Sequence, residues 1–135
     1  MSNGLELREL SVNYGHARAL HRASLVAPAG KVTALVGPNG AGKSSLILAS
    51  YGAVRSSGKV LFNGADLSRL PPMARAKLGL TLVPQGRQIF PTMTVRENLV
   101  IMCRLLGLSL DHIESAYERF PILKLRSKQL AGVLS

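Results

Sequence analysis

Gly37-Pro38-Asn39-Gly40-Ala41-Gly42-Lys43-Ser44 decides how the rest of the chain is read. It matches G-x-x-x-x-G-K-[ST], the loop whose backbone N–H groups cradle phosphate. Glycines at these positions let consecutive amides curl inward, where side chains would obstruct them. Lys43 can reach the β- and γ-phosphates, and the Ser44 hydroxyl can ligate Mg²⁺. A helix starting here aims its positive end at the same anion. The flanks fit that geometry. Lys31 to Val36 is a short, partly β-branched apolar run that predicts a buried strand, and Ser45 to Tyr51 predicts a buried helix. Gly37, Pro38, Asn39, Gly40, Ala41, Gly42, Lys43, Ser44 and Ser45 are therefore the expected nucleotide-phosphate site.

The 135 residues allow one domain of ordinary size or a piece of a larger one, and a hydrophobic fraction of 47% supports a core. No apolar run approaches the roughly 18 residues that span a bilayer. Glu6, Arg8 and Glu9 interrupt the region where a signal peptide needs an apolar stretch. A lone Cys103 permits no internal disulfide and suits a reducing compartment, so a cytoplasmic location is expected. The net charge of +10 raises the question of nucleic acid, but the basic residues form no dense run. With three Phe, three Tyr and no Trp there is also little to stack on bases, so no nucleic-acid partner is expected.

Working outward, Leu5, Leu7, Leu10 and Val12 suggest a half-exposed strand, and Ala19 to Val26 a second, closed by Pro28-Ala29-Gly30. Beyond the loop helix, Ser56-Ser57-Gly58 reads as a turn into the strand Lys59 to Phe62, followed by the turn Asn63-Gly64. Pro71 and Pro72 open a short basic helix through Lys77, and Gly79 to Val83 reads as another buried strand. Thr94 and Glu97 make a capping box for a helix that places Val95, Leu99, Met102 and Leu106 on one face and stops at Gly107. Asp111 and Glu114 are expected to cap a further helix burying Ile113, Ala116, Tyr117 and Phe120 before Pro121. His16, His21 and His112 show no ligand spacing with carboxylates or Cys103.

Strands, then a P-loop α/β unit, then consecutive helices: in that order the chain resembles the N-terminal part of an ATP-binding-cassette (ABC) ATPase, from about Leu5 onward. Val83-Pro84-Gln85-Gly86-Arg87-Gln88-Ile89-Phe90-Pro91 and Met93-Thr94-Val95-Arg96-Glu97-Asn98-Leu99 are similar to ATPases of branched-chain amino-acid importers and of the related urea importers. Leu123 to Ser135, including Lys128 to Ser135, resembles their run into the signature motif. The resemblance implies an α/β P-loop fold with an N-terminal antiparallel β subdomain, a partial parallel α/β core and the start of an α-helical subdomain. The division would fall at about 1–86 and 87–135. It also implies roles. Tyr14 would stack on adenine, although by spacing alone it is equally a strand-end tyrosine. Gln85, otherwise an ordinary turn residue, would contact Mg²⁺ and the hydrolytic water and sense the transport subunit, making Lys43 and Gln85 the catalytic pair. Arg87 and Arg96 are open between lining the subunit contact, lining the nucleotide and a solvated role.

The implied cofactors are ATP and Mg²⁺. The implied partners are a second cassette, identical or related, and transmembrane permease subunits. Gln88 to Met93 is the candidate contact surface, and the membrane would be approached only through those partners, on the cell's inner face. No Walker B aspartate–glutamate pair appears; Leu108-Ser109-Leu110-Asp111 is interrupted by Gly107 and Ser109. The sequence therefore reads as a cassette truncated inside its signature, expected to bind ATP weakly and not to turn it over. An exposed sheet edge is expected with it. A non-catalytic nucleotide-binding fragment is the alternative reading. A GTPase is disfavoured because Asn-Lys-x-Asp is absent, and a small P-loop kinase would not need the Gln85 phrase.

Overall fold

The computed structural model describes residues 4–86 and 89–134, in two compact units, 1–82 and 83–135. Arg87, Gln88 and Ser135 lie outside the described residues. In the first unit, β1 (Gly4–Tyr14), β2 (Ala17–Pro28), β3 (Ser56–Phe62) and β4 (Ala65–Asp66) form one antiparallel sheet in the order β2-β1-β3-β4. Leu7, Leu10 and Val12 of β1 are almost fully buried, together with Val60 and Leu67. The helix α1 (Lys43–Tyr51) joins that core through Leu46 and Ala49.

The inward residues of β1 are not evenly spaced, and the sheet accommodates this with a bulge. Leu7 and Leu10 are three apart, so strict alternation would send one of them to solvent. The register of β1 shifts between these residues against β2, and between Arg8 and Ser11 against β3. Glu9 takes a left-handed φ of 50° there, opposite Arg22 in β2 at φ 45°. Glu9 and Arg22 form an ion pair, and Ser24 Oγ accepts from the Glu9 amide at 3.0 Å. The bulge returns Leu10 and Val12 to the core face. Ser56, Ser57 and Gly58 belong to β3 rather than to a preceding turn.

Two expected strands are not strands among the described residues. Lys31–Val36 and Gly79–Val83 carry no ladder pairing. Val32 is 99% exposed and Val36 86%, while Leu35 and Leu80 alone of their apolar residues lean on the core of the first unit. A buried parallel strand is defined by neighbours on both sides, which local sequence cannot supply. The helix α2 (Pro72–Lys77) forms where the proline pair predicts it.

The second unit is helical: α3 (Val95–Leu106), α4 (Asp111–Arg119) and α5 (Pro121–Leu125), then a single 3₁₀ turn at Ala131–Val133. The capping box at α3 is formed: the Glu97 amide donates to Thr94 Oγ1 at 3.2 Å, and Glu97 Oε2 accepts from the Thr94 amide at 2.7 Å. Its stripe is rotated from the expected one. Cys103 points inward with Val95, whereas Met102 is half-exposed. At α4, Asp111 and Glu114 lie in the first turn and Leu110 is the N-cap, so neither acid is the cap. Ser109 Oγ instead accepts from the Asp111 amide at 3.3 Å. Ile113 and Tyr117 are buried with Cys103, while Phe120 is 54% exposed.

Two predictions arise from these contacts. The Tyr117 hydroxyl is buried with no hydrogen-bond partner among the described residues. Tyr117→Phe should then leave stability unchanged or raise it by about 1 kcal/mol, because it removes an unpaid desolvation cost; chemical denaturation reads this, and a clear loss would reveal a partner. The Thr94 amide and hydroxyl hold the Glu97 carboxyl below its ordinary value of 4.5. Since the folded pKa is the lower one, the stabilisation is present above pH 4.5 and fades as pH falls through the folded value. The helical circular dichroism of Glu97→Gln should be less sensitive to acid over that window than that of the parent chain.

Candidate nucleotide site

The loop Gly37–Ser44 sits between the exposed segment after β2 and the first turn of α1. Gly42 is the N-cap residue, in the left-handed region at φ 85°, ψ 9°. A Cβ there would lie 2.6 Å from the Ala19 carbonyl oxygen of β2 and 3.1 Å from Leu20 Cδ1. The turn into the helix therefore requires glycine twice over, for backbone angle and for room. No side chain caps α1 and no acidic residue lies in its first turn. Its leading N–H groups therefore have no side-chain partner, and its positive dipole end is open to an anion.

Lys43 spans the loop. Its Nζ donates to the carbonyl oxygens of Gly37 at 2.8 Å and Pro38 at 2.6 Å. The ammonium draws the two ends of the loop together and holds a positive charge at its centre. Gly37 to Ala41 are solvent-exposed, so the cradle is open to a ligand, and Ser44 at the second helical position is exposed too. Ser45 is turned inward, 9% exposed. Tyr14, at the end of β1 and 49% exposed, directs its hydroxyl to Ser45 Oγ at the long distance of 3.4 Å. The fold thus brings Tyr14, 31 residues upstream of Ser45, to the phosphate loop.

Gln85 belongs to the second unit, exposed on a bend after Pro84. Phe90 to Thr94 are fixed by Asn98 on α3. Asn98 Oδ1 accepts from the Phe90 amide at 2.8 Å, and Nδ2 donates to the carbonyls of Phe90 at 3.0 Å and Thr94 at 2.9 Å. Ile89 and Phe90 remain partly exposed. An apolar hollow of about 390 Å³ lies in the same unit, lined by residues that include Pro84, Ile89, Val95 and Leu99. His16, His21 and His112 are exposed, and among the described residues no group of three or more His, Cys, Asp or Glu gathers. Among the described residues no helix is long and apolar enough to cross a membrane.

Two residues that shape the structure carry little local signal. Asn98 falls within the Met93–Leu99 phrase, and nothing there marks its side chain as a clamp on the preceding backbone. Arg75 falls within the short basic helix, yet it is 3% exposed; no local signal marks it.

An open glycine loop, an uncapped helix and a lysine anchored in the loop define a P-loop protein. A family model described as "ABC transporter" matches residues 20–135, and the chain belongs to that family. It is 42% identical over 107 residues to the probable branched-chain amino acid transport ATP-binding protein LivF of Archaeoglobus fulgidus, covering 77% of this chain and 45% of that one. It is 34% identical over 138 residues to the high-affinity branched-chain amino acid transport ATP-binding protein BraG of Pseudomonas aeruginosa, covering 97% and 58%. Proteins named for phosphate import and lipopolysaccharide export match as well. A crystal structure of the ADP conformation of an ATP-binding cassette of an ABC transporter superposes with TM-score 0.80 at 29% identity, covering all of this chain and 60% of that one. The chain spans about half the length of the curated relatives it matches.

Proposed function

We propose that the chain holds ATP as the phosphate-binding part of an importer's ATP-binding cassette. The observation that carries this is Lys43, bonded to the Gly37 and Pro38 carbonyls beneath an uncapped helix N-terminus. In this reading residues 37–45 grip the phosphates, with amides and the Lys43 ammonium offsetting their negative charge. The exposed Ser44 hydroxyl would offer one oxygen to Mg²⁺. When bound there, the cation would supply neutralisation of phosphate charge. Tyr14 presents a ring face beside the loop for adenine. Gln85 serves Mg²⁺ and the attacking water and reports partner engagement.

The partners of the reading are a second cassette and transmembrane permease subunits, which tie the protein to the inner face of the membrane. Residues 1–86 form the nucleotide-holding part and 87–135 begin the helical part. Branched-chain amino acids are the favoured cargo, supported by the Val83–Pro91 phrase and by the names of LivF and BraG. The test of nucleotide binding is a titration with a fluorescent ATP analogue, with and without Mg²⁺. Saturation with a Kd of roughly 10⁻⁴ M or tighter, competed by ATP, is the expected result. A linear, uncompeted signal would overturn the reading.

A further inference from the structure

Arg75 is a buried cation, and among the described residues none of the ion pairs includes it. Its guanidinium is used instead as a four-way donor to backbone. Nη1 donates to the carbonyls of Ser50 at 2.6 Å and Ala49 at 3.2 Å. Nε donates to Leu70 at 2.8 Å and Nη2 to Ser68 at 3.1 Å. The first pair of acceptors belongs to the last turn of α1, at the negative end of its dipole; the Ala49 carbonyl also accepts from the Gly52 amide at 3.0 Å. The second pair lies in the chain after β4. That stretch is itself fixed, because Ser68 Oγ accepts from the Val60 amide of β3 at 3.0 Å. On its other side the guanidinium faces the backbone of Gly52, where an added Cβ would stand 2.9 Å from Nε.

The geometry points to Arg75 as the positioning residue for the phosphate loop, acting through α1 from the end opposite the ligand. The inference rests on the nucleotide reading above for its purpose, but its mechanics are independent of it. At nine residues, α1 is a rigid rod of about 13 Å. Its N-terminus supplies the anion-binding amides, and its sides touch the core through Leu46 and Ala49. Apolar contacts of this kind resist sliding along the axis and slight rotation less than directional bonds do. Nη1 bonds two adjacent carbonyls of the helix while Nε and Nη2 tie the same plane to Leu70 and Ser68, which removes that freedom. Phosphate coordination tolerates little displacement, so an anchor at the far end matters most where the loop is judged by geometry.

Arg75→Gln removes the charge and most of the fork; Arg75→Lys keeps the charge and loses the fork. Hydrogen exchange of the ligand-free chain is the primary measurement. The amides of Leu46 to Tyr51 should exchange about tenfold faster in the Gln variant, with those of Leu7 and Leu10 in β1 unchanged. In parallel, the Kd for the fluorescent ATP analogue should rise about fivefold or more in both variants. If α1 exchange is unchanged, or if β1 loosens equally, Arg75 is a general stabiliser and the positioning role is wrong. Loosened α1 with unaltered nucleotide affinity overturns it as well. Should the Gln variant fail to fold, the Lys variant is read by the same criteria. If the parent chain binds no nucleotide, the nucleotide reading falls, while exchange in α1 still decides whether Arg75 anchors the helix.

Discussion

Lys43→Ala should weaken Mg²⁺–ATP binding by about 100-fold or more while the chain stays folded. The argument is one of charge placement. The ammonium sits against the carbonyls of Gly37 and Pro38, in the middle of a loop whose other groups are neutral dipoles. A ligand with several negative oxygens in that loop meets one formal positive charge, and the variant removes it. The cost to folding is smaller. Gly37 and Pro38 are exposed, so water can replace the lost donor. The melting temperature should therefore fall by less than about 5 °C. Lys43→Arg is an informative companion, because a planar fork cannot occupy the site of a compact ammonium and should also bind poorly. Titration of the three proteins with the fluorescent analogue decides the matter. Affinity within a factor of about three of the parent in Lys43→Ala would remove Lys43 from the site.

Gly42→Ala should do the reverse and damage the fold first. Its φ of 85° costs an L-residue about 1 kcal/mol by itself. The larger penalty is spatial. The new Cβ would stand 2.6 Å from the Ala19 carbonyl, which belongs to the backbone of β2 and cannot rotate away as a side chain could. Either α1 tilts off the sheet, uncovering Leu46 and Ala49, or β2 bends. We expect a loss of about 3 kcal/mol or more in chemical denaturation. Nucleotide binding should be lost in whatever fraction folds. An unfolding midpoint equal to the parent's would show that the turn at Gly42 is looser than the structure has it. Together the two variants separate ligand chemistry from loop architecture at adjacent residues.

What the sequence discloses about this molecule depends on how far each cause lies from its effect. The glycine loop and the Thr94–Glu97 capping box are legible because spacing within a few residues specifies them. The same holds for Pro72 at the start of α2 and Gly107 at the end of α3. Lys31–Val36 and Gly79–Val83 are apolar enough for strands, but a strand needs a ladder, and pairing is a property of distant segments. The spacing of Leu7 and Leu10 shows a break in alternation that only a bulge resolves. The bulge itself uses Glu9 and Arg22, two residues with no preference for a left-handed φ. On α3 the apolar stripe is wide enough to admit either Met102 or Cys103, and the neighbouring Ile113 and Tyr117 choose Cys103. Tyr14 reaches Ser45 only through the path of β1 and β2. Arg75 was the least legible, since its four carbonyl acceptors come from two separate stretches of chain.

The stretch from Ser127 to Gly132 runs back along the start of α3, and the bonds between them are main-chain. The amides of Val95 and Arg96 donate to the carbonyls of Gln129 and Ser127, at 2.9 and 3.0 Å. Those of Ala131 and Gly132 donate to Met93 and Pro91, at 2.8 and 3.0 Å. Asn98 fastens Phe90 to the same helix. In kinematic terms these segments are a single lever. A displacement of the partly exposed Phe90 corner meets one side-chain clamp, Asn98, and main-chain bonds after that. Those bonds give it a short path to Leu130–Val133, about forty residues later in the chain and one hydrogen-bonded layer away in space.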